Sequence, residues 1–308
     1  MTDLSSKKII KTLLDKYNTK PLKRWGQNFL IDERVLKKIV DSANLKKSDI
    51  VLEIGPGIGT LTLELAKRVH PIKSLRGKFN GAGKVIAVEK DKKMCEILKD
   101  LLEGWNVRNV EIIQDDILKI EKLKIKNYKI VANLPYYIVS PVIRKFLELS
   151  EARPREMILM VQKEVAQRIC AKPPEMSILA ISVQFYAKPE ILFYVSKNSF
   201  WPQPKVDAAV IKIVPFDWSK KFVWAHSHFA SKRRASAFRM LFFKIVRAGF
   251  AQPRKQIVNN LSKMLKLDKK RVKNWLLENK IEPGRRAETL TIGDWIKLTK
   301  NYKKWLSK

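Results

Sequence analysis

Apolar residues in this chain fall into short dense runs, separated by stretches in which they recur every three or four positions. Ile50-Val51-Leu52-Glu53-Ile54 predicts a short buried strand, followed by a glycine turn and a helix over 60–69. Lys84-Val85-Ile86-Ala87-Val88-Glu89 and Val110-Glu111-Ile112-Ile113-Gln114 repeat the strand signal, with a helix over 92–102 between them. The run Tyr128-Lys129-Ile130-Val131-Ala132 predicts a fourth strand. A helix over 141–149, a strand over 156–161 and a helix over 163–171 continue the alternation. Residues 178–186 and 206–214 are apolar, partly alternating and β-branched, and predict two late strands. Upstream, Asp32 is placed to cap a helix over 33–43 that carries Val35, Leu36, Ile39 and Val40 on one face. After Pro215 the periods are helical, over 228–249, 254–264, 269–279 and 292–298.

The expected fold class is therefore α/β: a doubly wound sheet followed by a small all-helical domain. The expected divisions are a basic arm over 1–24, helical over 6–17, an α/β domain over 25–215 and a helical domain over 216–308. Residues 70–83 hold three glycines, a proline and no apolar period, and predict a mobile loop.

Charge changes the picture. The chain has 308 residues, 63 Lys and Arg against 30 Asp and Glu, and a net charge of +33. From Phe216 onward there are 24 basic and 6 acidic side chains, net +18, so less than a third of the chain carries over half of the excess. Such an imbalance favours a polyanionic partner. Lys232-Arg233-Arg234, Arg254-Lys255, Lys269-Lys270-Arg271 and Arg285-Arg286 form separate basic clusters, with Trp224, Phe229, Phe238 and Trp275 among them. Spaced cations with aromatics suit an RNA backbone and unstacked bases, although helix core accounts for the aromatics better. Lys232, Arg233, Arg234, Arg254 and Lys255 are the candidate RNA contacts.

Cys95 and Cys170 lack metal-ligand spacing and are expected as free thiols in a reducing compartment. His226-Ser227-His228 has no third ligand group, so no metal is expected. There is no run of 18 apolar residues, and residues 1–20 lack an apolar signal core. The expectation is a cytoplasmic protein with no membrane partner.

Two motifs carry the chemistry. In Glu53-Ile54-Gly55-Pro56-Gly57-Ile58-Gly59, glycines stand where a backbone turns tightly or approaches a ligand. The spacing is not the G-x-G-x-x-G of nicotinamide and flavin sites. Glu53 is placed to bond a ligand ammonium, Glu89 to accept from ribose hydroxyls and Asp116 to accept from an adenine amine, with Ile117 packing on the ring. Nothing supplies a pyrophosphate site, so the expected cofactor is S-adenosylmethionine. The second motif, Asn133-Leu134-Pro135-Tyr136, comes directly after the fourth strand. Its Asn133 side-chain oxygen and Leu134 carbonyl could draw the protons of an adenine amine out of plane and free the nitrogen lone pair. Pro135 sets the turn, and Tyr136 offers a stacking face.

Together with Gln27-Asn28-Phe29-Leu30 and Phe200-Trp201-Pro202-Gln203-Pro204-Lys205-Val206-Asp207, these motifs run in order along nearly the whole chain. The chain resembles the rRNA adenine N6-dimethyltransferases, most closely the small-subunit type. The resemblance implies a Rossmann-like S-adenosylmethionine-dependent methyltransferase domain and a helical C-terminal domain. It implies dimethylation of two adjacent adenosines in the 3′-terminal hairpin of small-subunit rRNA, by a monomer acting on a pre-ribosomal particle. By motif position, Asn28, Leu30, Gly55, Glu89, Asp116 and Asn133 would contact the cofactor, with Gly57 in the same loop. Tyr136 and Phe200 would sandwich the target adenine. The chain departs from the family pattern in the length of 70–83, at Met176-Ser177, at Pro253 where arginine is usual, and in the basic stretch 224–239. Two alternatives stand beside this reading. One is a resistance-type large-subunit methyltransferase, which commonly has isoleucine where Leu134 stands; the other is a non-catalytic RNA-binding assembly or transcription factor on the same fold.

Overall fold

A computed structural model describes residues 4–22, 25–70, 83–121, 123, 125–149, 153–216 and 232–306. The expected loop over 71–82, the His226-Ser227-His228 group, Trp224, Phe229 and the start of the 228–249 helix lie outside the described residues.

The chain forms two compact units: residues 1–166 with 187–215, and residues 167–186 with 216–308. The first is built on a seven-stranded sheet. Its strands are β2 (Ile50–Ile54), β3 (Lys84–Glu89), β4 (Val110–Gln114), β5 (Tyr128–Asn133), β6 (Met157–Gln162), β7 (Ala187–Val195) and β9 (Ala208–Pro215), in the order β4-β3-β2-β5-β6-β9-β7. The first five are mutually parallel, and β9 runs antiparallel to both β6 and β7. Central parallel strands are covered on both faces, which is why β5 and β6 read as predominantly apolar runs. Lys129 interrupts β5 yet is buried. Its ammonium meets Glu156 at 2.8 Å and the carbonyls of Ala43 and Asn44 at 2.7 and 2.9 Å. Those two carbonyls end helix α2 (Glu33–Ser42), and at the other end of that helix Asp32 accepts from the N–H groups of Arg34 and Val35, as expected.

Chain order reverses between β2 and β5, with β3 on one side and β6 on the other. Such a switch point leaves a crevice beyond the carboxyl ends of the strands. Both chemical motifs end there, one after β2 and one at the end of β5.

A two-stranded ribbon, invisible to periodicity, lies beside the sheet. Strand β1 (Phe29–Leu30) pairs antiparallel with β8 (Phe200–Trp201), Leu30 opposite Phe200. It joins two motifs 170 positions apart in sequence, and the rings of Phe29 and Trp201 stack at 6.4 Å. The N-terminal segment is helical over α1 (Lys7–Lys16), with Ile10 and Leu14 buried against Phe29, Ile58, Met94 and Ile97.

The expected strand over 178–186 is a helix, Ile178–Tyr186, and its residues belong to the second unit although the sequence placed them before the 215 boundary. A short run apolar all round does not distinguish a buried strand from a buried helix. The available signal is Ser177, whose hydroxyl accepts from the Ala180 N–H at 3.1 Å as an N-cap. Strand β7 starts immediately after. It carries Pro189, and an edge position leaves that proline without a ladder bond to lose.

The second unit also contains helices Lys232–Gly249, Ile257–Leu265, Lys269–Glu278 and Ile292–Leu306. Phe185 stacks on Phe242 at 4.2 Å, and Trp275 and Trp295 are fully buried, so these aromatic residues are core.

Candidate active site

The glycine turn has the backbone its sequence suggests. Gly55, Gly57 and Gly59 all have positive φ, at 69°, 57° and 92°. A Cβ at Gly59 would lie 2.4 Å from Leu98 Cδ1, so side-chain space and backbone conformation both demand glycine there. The turn is tied to the tip of β3. Val88 O accepts from the Gly55 N–H at 2.9 Å, and Glu89 Oε2 accepts from the Gly57 N–H at 3.1 Å. Glu89 Oε1 takes the Asp91 N–H at 2.8 Å. Asp91 caps the next helix through the Lys93 N–H and accepts from Gln27 Nε2 at 2.9 Å. Gln27 is thus a brace for the glycine turn, a role its motif alone did not reveal.

Pro135 closes the other side. A Cβ at Gly55 would lie 3.5 Å from Pro135 Cδ, which places Asn133-Leu134-Pro135-Tyr136 against the glycine turn. Leu134 N–H donates to Met160 O at 3.2 Å, and Ile138 N–H donates to Pro135 O at 3.1 Å. Asn133 Nδ2 donates to Asn28 O at 3.3 Å, and Asn28 Nδ2 donates to Gly26 O at 3.1 Å. With its amide nitrogen committed inward, Asn133 keeps its side-chain oxygen as the acceptor.

One cavity is lined by Asn28, Leu30, Glu53, Gly55, Gly57, Glu89, Asp116, Ile117, Asn133, Leu134, Pro135, Tyr136 and Phe200. All the residues predicted for cofactor and base therefore meet in one space. Trp25, Lys90, Asp115 and Tyr137 also line it and were not foreseen. Lys232, Arg233 and Arg234 begin a helix of the second unit, and Arg254 and Lys255 stand exposed on the turn after it. Arg285 donates to Thr289 within its own turn.

Electrostatics differ around the wall. Glu53 is 1% exposed, and its Oε2 has no hydrogen-bond partner. Burial pushes its carboxyl up to about 8; Thr62 opposes the shift and the Glu89 charge adds to it. At neutral pH without a ligand Glu53 therefore favours its protonated form. Burial also raises Glu89, against the backbone N–H groups that hold its charged form. Asp116 goes the other way. Burial works against its charge, but the Leu118 N–H and the Lys90 ammonium, 3.0 Å from Oδ2, together hold its carboxyl below the usual range. Burial, with Asp207 adding to it, raises the Tyr136 phenol, whose oxygen has no hydrogen-bond partner. Phe200 is 4% exposed at the back of the cavity.

The sequence model of the ribosomal RNA adenine dimethylase family matches residues 18–304. The chain belongs to the ribosomal RNA adenine dimethylase family. It is an rRNA adenine dimethylase and hence a methyltransferase. Its relatives include the ribosomal RNA small subunit methyltransferase A of Dehalococcoides mccartyi (strain CBDB1), 40% identical over 95% of this chain and 92% of that one. The protein of the same name from Alkaliphilus oremlandii is 39% identical over 99% of this chain and all of its own. Among solved structures, a dimethyladenosine transferase from Plasmodium falciparum aligns with a TM-score of 0.66 at 27% identity, covering 89% of this chain and 97% of that one. The 23S rRNA methyltransferase ErmE has the same TM-score at 24% identity, over 90% of this chain and all of its own, a likeness of fold. The dimethylase fold is thus the α/β methyltransferase sheet with C-terminal helices.

Proposed function

We propose that this dimethylase binds S-adenosylmethionine in the cavity and converts two adjacent adenosines in the 3′-terminal hairpin of small-subunit rRNA to N6,N6-dimethyladenosine. It does so as a monomer on a pre-ribosomal particle in the cytoplasm. The observation that carries the reading is the approach of Pro135 to Gly55, which puts the amine-binding motif beside the glycine turn. Relatives about 40% identical over nearly the full length carry the small-subunit name, which favours that rRNA over the large-subunit one.

The residues suit the cofactor. Positive-φ glycines leave the loop backbone bare to a ligand. Glu89 ends β3 and Asp116 lies just past β4, both lining the cavity with acceptor oxygens for ribose and adenine, beside buried Ile117. The unpartnered Oε2 of Glu53 suits the ammonium of the methionine part, and a cation there would favour the carboxylate. When bound, S-adenosylmethionine supplies an electrophilic methyl group on a sulfonium.

The chain's own work is positional. An adenine amine is a poor nucleophile because its lone pair is delocalised into the ring. Asn133 Oδ1 and the Leu134 carbonyl accept hydrogen bonds from its N–H groups and turn them out of plane, which localises the lone pair. Tyr136 and Phe200 hold the ring flat between them. Alignment of the nitrogen with the donor then contributes most of the rate. The cavity excludes a paired base, so the target enters unpaired or flipped. The basic helical unit, with Lys232, Arg233, Arg234, Arg254 and Lys255, holds the RNA backbone.

The test is transfer of labelled methyl groups to unmethylated small-subunit particles, with mapping of the modified adenosines. Absence of transfer to any rRNA removes the reading. RNA affinity should also fall steeply with salt, with a log–log slope near the number of phosphates contacted; a flat response removes the role given to the basic unit.

A further inference from the structure

Tyr137 is next to Tyr136 in the chain and has the opposite environment. Its side chain is 55% exposed, and among the described residues it is the one large exposed apolar or aromatic side chain that also lines the cavity. Tyr194, also exposed in the same unit, does not line it. Tyr137 is held at the mouth by a short 3-10 turn, Tyr136–Ile138, which is locked by the bond from Ile138 N–H to Pro135 O. The ring is therefore presented by a hydrogen-bonded turn. Lys90 belongs to the same mouth. Its side chain is 50% exposed and its ammonium lies near enough to Tyr137 to feel the phenol, though Asp116 is its main partner.

A base drawn into the cavity leaves its neighbour without a stacking partner on that side. An aromatic ring beside the mouth replaces that partner, and a nearby cation suits the adjoining phosphate. We propose that Tyr137 is a stacking platform for the nucleotide adjoining the target adenosine, so that one base sits in the cavity and the next lies on its rim. This rests on the rRNA substrate proposed for the site, and it explains how one site could address adjacent adenosines in turn without releasing the strand.

The test compares Tyr137→Ala, Tyr137→Phe and Tyr137→Trp in the full chain. On unmethylated small-subunit particles, Tyr137→Ala should raise KM about 5- to 150-fold, the span expected for loss of one base–aromatic stack, while affinity for S-adenosylhomocysteine stays within about twofold. Phe and Trp keep a ring and should stay near wild type. A hairpin RNA with 2-aminopurine beside the target should be quenched on binding wild type and Tyr137→Trp, and not on binding Tyr137→Ala. An unchanged KM and intact quenching in Tyr137→Ala overturn the proposal. So does a Trp variant as impaired as Ala, or a selective loss of S-adenosylhomocysteine affinity. A wild-type chain that methylates no rRNA sinks the functional reading itself; an active wild type with an indifferent Ala variant sinks the platform alone.

Discussion

The two walls of the cavity are finished to different degrees. On the wall formed by β2, β3 and β4, acceptors are already engaged from within: both oxygens of Glu89 take backbone N–H groups, and Asp116 is held by Leu118 and Lys90. On the wall formed by the end of β5 and the Phe29–Trp201 ribbon, acceptors and rings are left unengaged. Tyr136 has an unpartnered phenol, Tyr137 an exposed ring, and Asn133 an amide fixed only through its nitrogen. A wall tied to its own backbone keeps its shape for a ligand bound every turnover. A wall with open acceptors and rings can receive a base that arrives from elsewhere and must leave again. Glu53 breaks the rule for the first wall, since its free oxygen is the polar group there that awaits a partner.

Asn133→Ala should break chiefly the second wall. Methyl transfer should fall at least about 100- to 1,000-fold, as for loss of a positioned hydrogen-bonding group, with circular dichroism preserved and S-adenosylhomocysteine binding weakened by far less, since Asn133 also borders the cofactor. Equal loss of cofactor binding would erase the distinction between the walls. Gly59→Ala attacks the first wall. A Cβ there meets Leu98 on a backbone at positive φ, so stability should drop by about 2–3 kcal/mol, read from the denaturant midpoint, with weaker cofactor binding.

Glu53→Gln tests the exception. The folded-state carboxyl is raised from 4.5 to about 8, so its stabilising preference for the proton is complete below about pH 4.5 and is lost as pH rises through about 8. Wild type should lose stability across that window, by up to about 5 kcal/mol, and the amide variant should show a flatter profile in denaturation at several pH values. The smallest effect is expected from Asp32→Ala. Asp32 caps α2 and accepts from Ser199 Oγ at 3.2 Å, next to Phe200. Its loss should cost about 1 kcal/mol of stability and loosen the ribbon behind the target wall, read as a modest rise in RNA KM with unchanged cofactor affinity.

Much of the site was legible because it lies at strand ends. A buried parallel strand is an apolar run, and the residues next after it in the chain emerge at one edge of the sheet. Gly55, Glu89, Asp116 and Asn133 could therefore be placed along that edge from the chain alone. The engagement of each acid was not legible, because it depends on which N–H groups and cations arrive from distant segments. Lys90 on Asp116 and Gln27 on Asp91 are such arrivals.

Sequence by itself determined the alternating elements, the cap at Asp32, the open backbone at the glycine turn and the family. These depend on residue type and on spacing within a dozen positions. Tertiary structure alone decided that 178–186 is helical, that Phe29-Leu30 pairs with Phe200-Trp201, that Pro135 abuts Gly55, and that Glu53 is stripped of water. Each of these is settled by a neighbour far along the chain. Burial and pairing energies belong to the packed whole, so a local pattern can permit such an outcome but cannot select it.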